Sequence, residues 1–334
     1  MNKKQTIGVV IAAAAILITG IAGVVSNIME DKIMSKQTSD TVSSFELLLS
    51  DMESSVDLPD EDFVGIINIV GEIGPSEEEN IWSTTTSSYD HNLNIELVEA
   101  MMESDSNKGI LLYVDSPGGT VYESDDLYLK LMQYKNETGR PIWAYFASQA
   151  CSGGYYISMA ADEIYANRNC TTGSIGVIIS ATNLNGLYDK LGIEIVNITS
   201  GENKAMEFEP EQIAIYQSIV DEAYDQFVEI VCNGRNLDNA TVRKLADGRV
   251  YTAKQALDNK LVDGVCTYEE FIATLENAWE LDKDVVYHDA QNESDDLFGG
   301  LFATISTLIP KSEAEIGLEI MNSKRSGVPM YYAQ

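Results

Sequence analysis

Ser152 stands before two glycines in the stretch ACSGGYYI, where an apolar extended run gives way to small residues typical of a helix. A serine at such a junction could act as a nucleophile if a neighbouring base takes its proton. Histidine is the usual base, because its unperturbed pKa lies close to neutral pH. The chain has only His91 and His288, both in polar runs typical of surface loops. The sequence therefore argues against a Ser-His-Asp triad.

A second glycine turn, in the stretch VDSPGGTVYES, lies one helix and one strand before Ser152. Pro117 fixes its own φ, and the glycines permit backbone shapes and close approaches that side chains exclude. Asp115 is expected to shape this turn rather than to take part in chemistry. Because helix starts carry free N–H groups, we predict that the amides of Gly119 and Gly153 form an oxyanion hole. Each turn alone is more often a tight connection or an N-cap, so the prediction depends on their combination.

The elements that must position these turns alternate between β-branched, apolar runs and amphipathic runs of helical length. The predicted strands are FVGIINIVGEIG, KGILLYVDSPGG and RPIWAYFA, separated by the predicted helices NIELVEAMMESDS and TVYESDDLYLKLMQYKNETG. This alternation predicts an α/β fold with a parallel sheet, whose ligands bind at the carboxyl ends of the strands. A helix and then a strand are predicted in NLNGLYDKLGIEIVNITSG, and a long helix from Glu209 to Asn233.

Four regions are predicted along the chain. Residues 1–29 are expected to form a cytoplasmic tip and a transmembrane signal anchor, because Thr6 to Met29 carry no charge and are long enough to cross a bilayer. Lys3 and Lys4 favour a cytoplasmic N-terminus, with the rest of the chain outside. A cleaved signal peptide is the alternative, which the lack of a good cleavage site disfavours. An acidic linker over 30–62, a folded domain over 63–280 and a C-terminal extension over 281–334 complete the prediction.

Charge and cysteine content exclude several classes of function. The formal net charge of −32 disfavours nucleic acid as a partner, because like charges repel. The cysteines are widely spaced and have no histidine beside them, so no metal site is expected; they are Cys151, Cys170, Cys232 and Cys266. We interpret them as small buried residues, with disulfides left open for an exported domain. No cofactor is predicted.

Five separated motifs resemble the signal peptide peptidases of the SppA type, the S49 family of serine peptidases. They are DSPGG, SGGYYI, TGSIGV, SGENK and ADGRVYTAKQALDNKLVD, in the family's order and with similar spacing over about residues 63–275. The resemblance implies that 63–280 is a peptidase domain with a fold related to the caseinolytic protease and crotonase folds. It implies that Lys204 is the base and that Ser174 holds this lysine towards Ser152. The chain departs from the family pattern where Cys151 replaces the usual alanine, where Ser158 and Met159 replace small apolar residues, and where Glu202 replaces a frequent second lysine.

A lysine base has a physical requirement. Its reference pKa of about 10.4 must fall by several units, which burial can achieve because desolvation disfavours the charged form. Glu202, Glu207 and Glu209 would raise the pKa, so their side chains are expected to point into water. Apolar cover for Lys204 is expected from Ala205 and Met206, and from neighbouring subunits. Without the resemblance, Lys204 would be interpreted as an exposed surface lysine.

These expectations combine into a membrane-anchored serine endopeptidase whose catalytic domain lies outside the cytoplasm and hydrolyses apolar, extended peptides such as signal-peptide remnants. The resemblance also implies a homo-oligomeric ring of about eight subunits. The tail GVPMYYAQ is similar to the segments that such a site would bind. A non-catalytic, membrane-anchored peptide-binding scaffold of the same fold is the main alternative. A crotonase-type acyl-CoA enzyme is disfavoured, because the chain offers no basic cluster for the nucleotide phosphates.

Overall fold

The computed structural model describes residues 58–76, 89–205, 209–279, 285–289 and 330–332. The predicted membrane anchor, nearly all of the acidic linker and most of the C-terminal extension lie outside these residues. Within the described part of the chain, no helix is both long enough and apolar enough to cross a bilayer.

The described residues form one sheet with helices packed on it. The strands are β1 (Phe63–Ile73), β2 (Asn107–Thr120), β3 (Ile142–Cys151), β4 (Glu163–Ala166), β5 (Thr171–Gly173), β6 (Val250–Thr252), β7 (Gly264–Val265), β8 (Val286–His288) and β9 (Met330–Tyr332). The helices are α1 (His91–Glu103), α2 (Val121–Thr138), α3 (Gly153–Ile157), α4 (Asn185–Leu191), α5 (Pro210–Arg235), α6 (Asn239–Leu245), α7 (Ala253–Asp258) and α8 (Tyr268–Ala278). Short 3-10 turns cover Ser158–Ala160 and Glu202–Lys204.

Parallel pairing dominates the sheet, as the alternation of strands and helices predicts. The strand order is β6-β5-β3-β2-β1-β8, with β4 beside β3 and β7, and β9 beside β2. All pairs are parallel except β5 with β6 and β2 with β9. The predicted α/β fold with a parallel sheet is thus confirmed, and the predicted long helix is present as α5.

The central strands are apolar on both faces because both faces are covered. On one face of β2, here called the first face, Ile110 and Leu112 belong to the same buried cluster as α1 and α2 side chains. On the opposite or second face, Leu111 packs with Phe271 and Leu275 of α8. The catalytic turns predicted from the sequence lie where these strands end.

A long excursion between β5 and α5, here called the arm (residues 177–205), differs from the prediction. Helix α4 lies within it as predicted, but the predicted strand is wrong, since residues 193–199 form none. A strand needs a neighbour to bond with, and the described part of the chain provides none there. Apolar side chains of the arm are exposed, with 73% of Val196 and 96% of Ile198 accessible.

Both histidines are buried, so their interpretation as loop residues is wrong. His91 is the first residue of α1 and is 6% exposed; its Nδ1 lies 3.0 Å from Tyr89 Oη and its Nε2 lies 3.0 Å from Asp126 Oδ2. His288 ends β8, is 5% exposed and packs edge-on against Phe63. The burial of these histidines is not evident from their polar sequence neighbours, because different positions of one helix or strand face solvent and core.

Candidate active site

Ser152 lies between β3 and α3 in a strained conformation, with φ 53° and ψ −114°. A positive φ is unfavourable for a residue that carries a Cβ, so the surrounding structure must enforce it. Ser152 N donates a hydrogen bond to Gly173 O at 2.8 Å, and Ser152 O accepts one from Tyr156 N at 2.8 Å. A sharp strand-to-helix turn of this kind presents the nucleophilic serine in α/β-hydrolases.

The hydroxyl of Ser152 has no hydrogen-bond partner among the described residues. Its side chain is buried, and Oγ forms no hydrogen bond within the described part of the chain. Leaving such a buried group unpaired costs about 1–3 kcal/mol, and unpaired groups of this kind are rare enough to need an explanation. We interpret Ser152 Oγ as a nucleophile whose hydrogen-bond partners are a base and a substrate.

The two glycine turns meet beside Ser152. A Cβ added to Gly153 would lie 3.2 Å from the amide nitrogen of Gly119. A Cβ added to Gly119 would lie 1.8 Å from Ile73 O, so only glycine permits this approach of β2 to β1. The structure thus brings together the two glycines whose amides the sequence predicts as an oxyanion hole.

The first glycine turn is fixed to both neighbouring strands. Ser116 Oγ donates to Gly71 O at 2.6 Å on the β1 side and accepts from Gly118 N at 3.1 Å. Asp115 Oδ1 accepts hydrogen bonds from Ser148 Oγ and from Gln149 N on the β3 side. Asp115 therefore shapes the turn, as predicted.

Glu123 and Ser124 form a buried polar pair behind the site that is not predicted from the sequence. Glu123 is 8% exposed and its carboxylate accepts a hydrogen bond from Thr120 Oγ1. Ser124 Oγ donates to Thr120 O at 2.7 Å and would lie 2.4 Å from a Cβ on Gly153. The sequence feature that could have identified Glu123 is an acidic residue in the first helical turn after a glycine turn, where the helix dipole stabilises negative charge.

Ser174 directly follows the glycine that holds Ser152. It has a φ of 49° and is 6% exposed, and its amide donates to Arg249 O at 2.8 Å. The structure therefore places this predicted supporting residue next to the backbone partner of Ser152.

Lys204 forms no hydrogen bond with Ser152 Oγ within the described part of one chain. It ends the short 3-10 turn of the arm, its amide donates to Gly201 O at 3.1 Å, and its side chain is exposed. Of the expected neighbours, Met206 and Glu207 lie outside the described residues. The apolar cover that a lysine base requires is thus not provided by the described residues of a single chain.

The C-terminal strand β9 pairs with the first glycine turn. It runs antiparallel to β2, with Tyr332 opposite Gly118, Tyr331 opposite Gly119 and Met330 opposite Thr120. Gly119 also pairs with Ile73 of β1, so β9 occupies the remaining edge of β2, on the side where β3 lies. This edge can therefore bind an extended segment through its backbone.

The thiol next to Ser152 is a poor rival as a nucleophile. Burial raises the pKa of Cys151 to about 12, so the reactive thiolate is scarce at neutral pH. All the cysteines are free, with Cys151 and Cys170 buried. Among the described residues, no cluster of His, Cys, Asp or Glu has the form of a metal site.

Comparisons with known proteins match these features to a protease family. The model of peptidase family S49 matches residues 134–282, a range that contains Ser152, Ser174 and Lys204. A protein of Enterococcus faecium, named as a candidate signal peptide peptidase SppA, is 39% identical over 64% of this chain and 63% of its own length. The chain thus spans slightly less than two thirds of that relative.

Two further relatives carry protease names. A protein of Methanocaldococcus jannaschii, named as a candidate protease, is 33% identical over 61% of this chain and 67% of its own length. Protease 4 of Haemophilus influenzae is 30% identical over 80% of this chain and 42% of its own length.

Proposed function

This chain belongs to peptidase family S49, and on that premise we propose that it is a membrane-anchored serine endopeptidase that uses Ser152 and Lys204. Its substrates are apolar, extended peptides such as remnant signal peptides. One observation carries the proposal, namely the strained, buried Ser152 with an unpaired Oγ beside two converging glycine turns.

In the proposed reaction, the neutral amine of Lys204 takes the proton of Ser152 Oγ while the oxygen attacks the peptide carbonyl carbon. The amides of Gly119 and Gly153 donate hydrogen bonds to the oxyanion of the tetrahedral intermediate. The ammonium of Lys204 then returns the proton to the departing amine, which leaves an acyl-enzyme. Water, activated by the same lysine, hydrolyses the ester. Ser174 orients the lysine, and the reaction requires no cofactor.

Assembly is part of the proposal, because an exposed Lys204 lacks the desolvation that its role demands. The arm that carries it exposes Ile195, Val196 and Ile198, a density of apolar surface that favours a protein interface. A homo-oligomeric ring of about eight subunits would cover the arm and bring Lys204 to a Ser152, in the same or a neighbouring subunit. Burial in that interface would favour the neutral amine that a base requires.

The membrane location is proposed from the uncharged segment Thr6–Met29, with the N-terminus cytoplasmic and the catalytic domain outside. Recognition of extended peptides is supported by β9, whose backbone pairs with Gly118–Thr120. We propose that this tail occupies the substrate groove and is displaced or cut when the enzyme acts.

The test is cleavage of a short apolar, internally quenched peptide by the full chain in detergent, from about pH 6 to about pH 10. Wild type should cleave it, and Ser152→Ala and Lys204→Ala should each lose activity by at least about a thousandfold. Lys190→Ala, which removes another exposed lysine of the arm, should keep activity. Normal turnover by folded Lys204→Ala would overturn the proposed base.

Mixed assemblies determine where the lysine comes from. Inactive Ser152→Ala and Lys204→Ala chains are dissociated, mixed and reassembled. Recovered activity shows that Ser152 and Lys204 of different subunits work together, whereas no recovery shows that both must belong to one subunit.

A non-catalytic peptide-binding scaffold is the second candidate. It is favoured by the exposed position of Lys204, which forms no hydrogen bond with Ser152. An assembled wild-type protein that binds apolar peptides, yet cleaves none of them across the pH range, would establish it.

A further inference from the structure

A cavity of about 550 Å³ opens on the second face of the sheet, at the carboxyl ends of β2 and β3. Its lining includes Tyr113, Tyr145, Tyr268, Asp115, Glu269 and Ser148. Helix α8 covers the second face with Phe271 and Leu275, and its first turn forms one rim of the cavity. Nothing in the proposed chemistry at Ser152 uses this cavity.

Three tyrosine rings form the aromatic part of the cavity. The ring planes of Tyr113 and Tyr268 are inclined at 87° with centroids 5.8 Å apart. Tyr145 stacks on Tyr113 at 6.3 Å and meets Tyr268 edge-on at 5.1 Å. Tyr145 is only 2% exposed and supports the other two rings, whereas Tyr113 and Tyr268 are partly exposed. The face of an accessible aromatic ring can attract a cation.

The charges around the rings are mainly negative. Asp115 and Glu269 line the cavity, and Asp289 lies close enough to contribute to the raised pKa of Tyr268, which is due first to burial. Among the residues that the structure describes, no lysine or arginine lines the cavity. Arg168 lies in the sequence between the lining residues Asn167 and Asn169 but is not itself part of the lining. Anions are therefore disfavoured, and an ammonium or guanidinium group is the ligand that this chemistry suits.

The cavity lies on the path of a peptide that extends past the nucleophile. A peptide bound like β9 runs antiparallel to β2, and beyond Tyr332 it meets the end of β3, which pairs with β2 up to Ala150 and Ser116. On the first face the peptide cannot turn away, because a Cβ on Gly154 would already lie 3.3 Å from Ser116 Cβ. The second face, where the cavity opens, is the free side.

The distance along the strand fits a few residues of peptide. Ser148 at the cavity precedes Ser152 by four positions of the chain, which corresponds to about 13 Å of extended strand. A peptide of about four residues spans the same length.

We propose that this cavity binds a lysine or arginine side chain of the substrate, located within about four residues on the C-terminal side of the bond that is cut. The inference rests on the proposed peptidase function and adds a substrate preference to it. The apolar part of the peptide lies along β2, and the basic residue anchors the portion that leaves.

The first experiment uses internally quenched peptides that contain the tail sequence VPMYYAQ followed by two alanines, cleaved by the full-length enzyme. Lysine is placed in turn at each of the four positions after the second tyrosine and is compared with norleucine, which has a similar length and no charge. At one position, lysine should raise kcat/KM by about tenfold over norleucine. A ratio near one at every position would overturn the proposal, while cleavage itself would leave the proposed function intact.

Variants of the cavity assign the effect. Tyr268→Phe keeps the ring and should keep the ratio, whereas Tyr268→Leu and Glu269→Gln should each reduce it towards one. Glu276→Gln, which removes an equal charge from the same helix outside the lining, is the control. If Tyr268→Leu instead disrupts the assembly and leaves the ratio unchanged, the cavity holds a side chain of a second copy and the proposal is overturned.

Binding to Ser152→Ala separates this inference from catalysis. The best lysine peptide, labelled with a fluorophore, should bind Ser152→Ala about tenfold more tightly than its norleucine twin. Adding Tyr268→Leu should remove the difference. This result would support the cavity even if the wild-type enzyme cleaved nothing, and equal binding of the two peptides would oppose it.

Discussion

Ser152 N donates a 2.8 Å hydrogen bond to Gly173 O, so the end of β5 holds the strained turn that carries the candidate nucleophile. Gly173 itself has a φ of 89°, and a Cβ there would lie 2.6 Å from the ring of Tyr251. The conformation of Ser152 thus depends on a glycine that is distant in sequence and that cannot be replaced without moving its neighbours.

Gly173→Ala should therefore reduce both stability and activity. The positive φ contributes about 1 kcal/mol of destabilisation, and the contact with Tyr251 adds about 1–3 kcal/mol. Urea unfolding measures the loss of stability, and peptide cleavage measures the loss of activity. Gly139→Ala is the control, because its φ is 67° but a Cβ there meets nothing within 4 Å. Equal losses in the two variants would show that the contact with Tyr251 is unimportant.

Gly119→Ala should lower kcat by about 100- to 1000-fold, because the added Cβ would force β2 away from Ile73 O and displace one of the two proposed oxyanion donors. KM should change much less, since the donor acts mainly on the transition state. Steady-state cleavage kinetics provide the measurement. Gly186→Ala, which has open space around its Cβ, should behave as wild type. An unchanged kcat in Gly119→Ala would remove this amide from the mechanism.

His91→Ala should destabilise the fold without changing the proton chemistry. The substitution removes the links of His91 to Tyr89 and Asp126, at a cost of about 1–3 kcal/mol. The pH dependence of kcat should keep its wild-type midpoint, whereas Lys204→Ala should lose turnover itself. A loss of turnover in well-folded His91→Ala, accompanied by a shifted pH profile, would instead identify this histidine as the base.

Exposed residues of the arm should control assembly. Replacing Val196 and Ile198 with glutamate adds charge to side chains that are 73% and 96% accessible in one chain. The thermal stability of the single chain should hardly change, because neither side chain is buried there. The mass by analytical ultracentrifugation should fall from the oligomer to the monomer. Leu129→Glu, at a 55% exposed leucine of α2, is the control, and an unchanged mass in the double variant would contradict an interface at the arm.

The buried thiol of Cys170 should make stability fall in alkali. Burial raises its pKa from 9.0 to about 12, so the folded chain retains a proton that the unfolded chain releases at lower pH. Between these values the unfolded state binds fewer protons, and stability therefore declines as pH rises. The decline from this thiol should reach up to about 1.4 kcal/mol per pH unit between about pH 9 and pH 11.

Urea unfolding across this pH range checks the effect. The decline should be less steep in Cys170→Ala than in wild type. Cys232→Ala is the comparison, because Cys232 is less buried and should change the slope less. Parallel slopes in wild type and Cys170→Ala would show that this thiol does not titrate differently in the two states.

What the sequence could predict was local. The alternation of apolar and amphipathic runs defined the α/β fold, and the glycine pairs beside Pro117 and Ser152 identified two turns that the structure brings together. The hydrogen bond of His91 to Asp126 could not be predicted, because it joins two different helices. The strand expected around Ile195 needs a partner that the described chain does not supply. The aromatic cavity depends on α8, which lies more than a hundred residues after β3 in the sequence.

The pairing of Met330–Tyr332 with Gly118–Thr120 has a kinetic consequence. A segment tethered to the chain it binds is present at an effective concentration on the order of millimolar, however dilute the protein is. A peptide from solution must compete with this tethered segment, so cleavage would be slow at low peptide concentration and fast at high peptide concentration. The cleavage rate then rises less steeply with peptide concentration than the intrinsic affinity of the groove implies, and removing a few terminal residues would raise the apparent affinity for every substrate by the same factor.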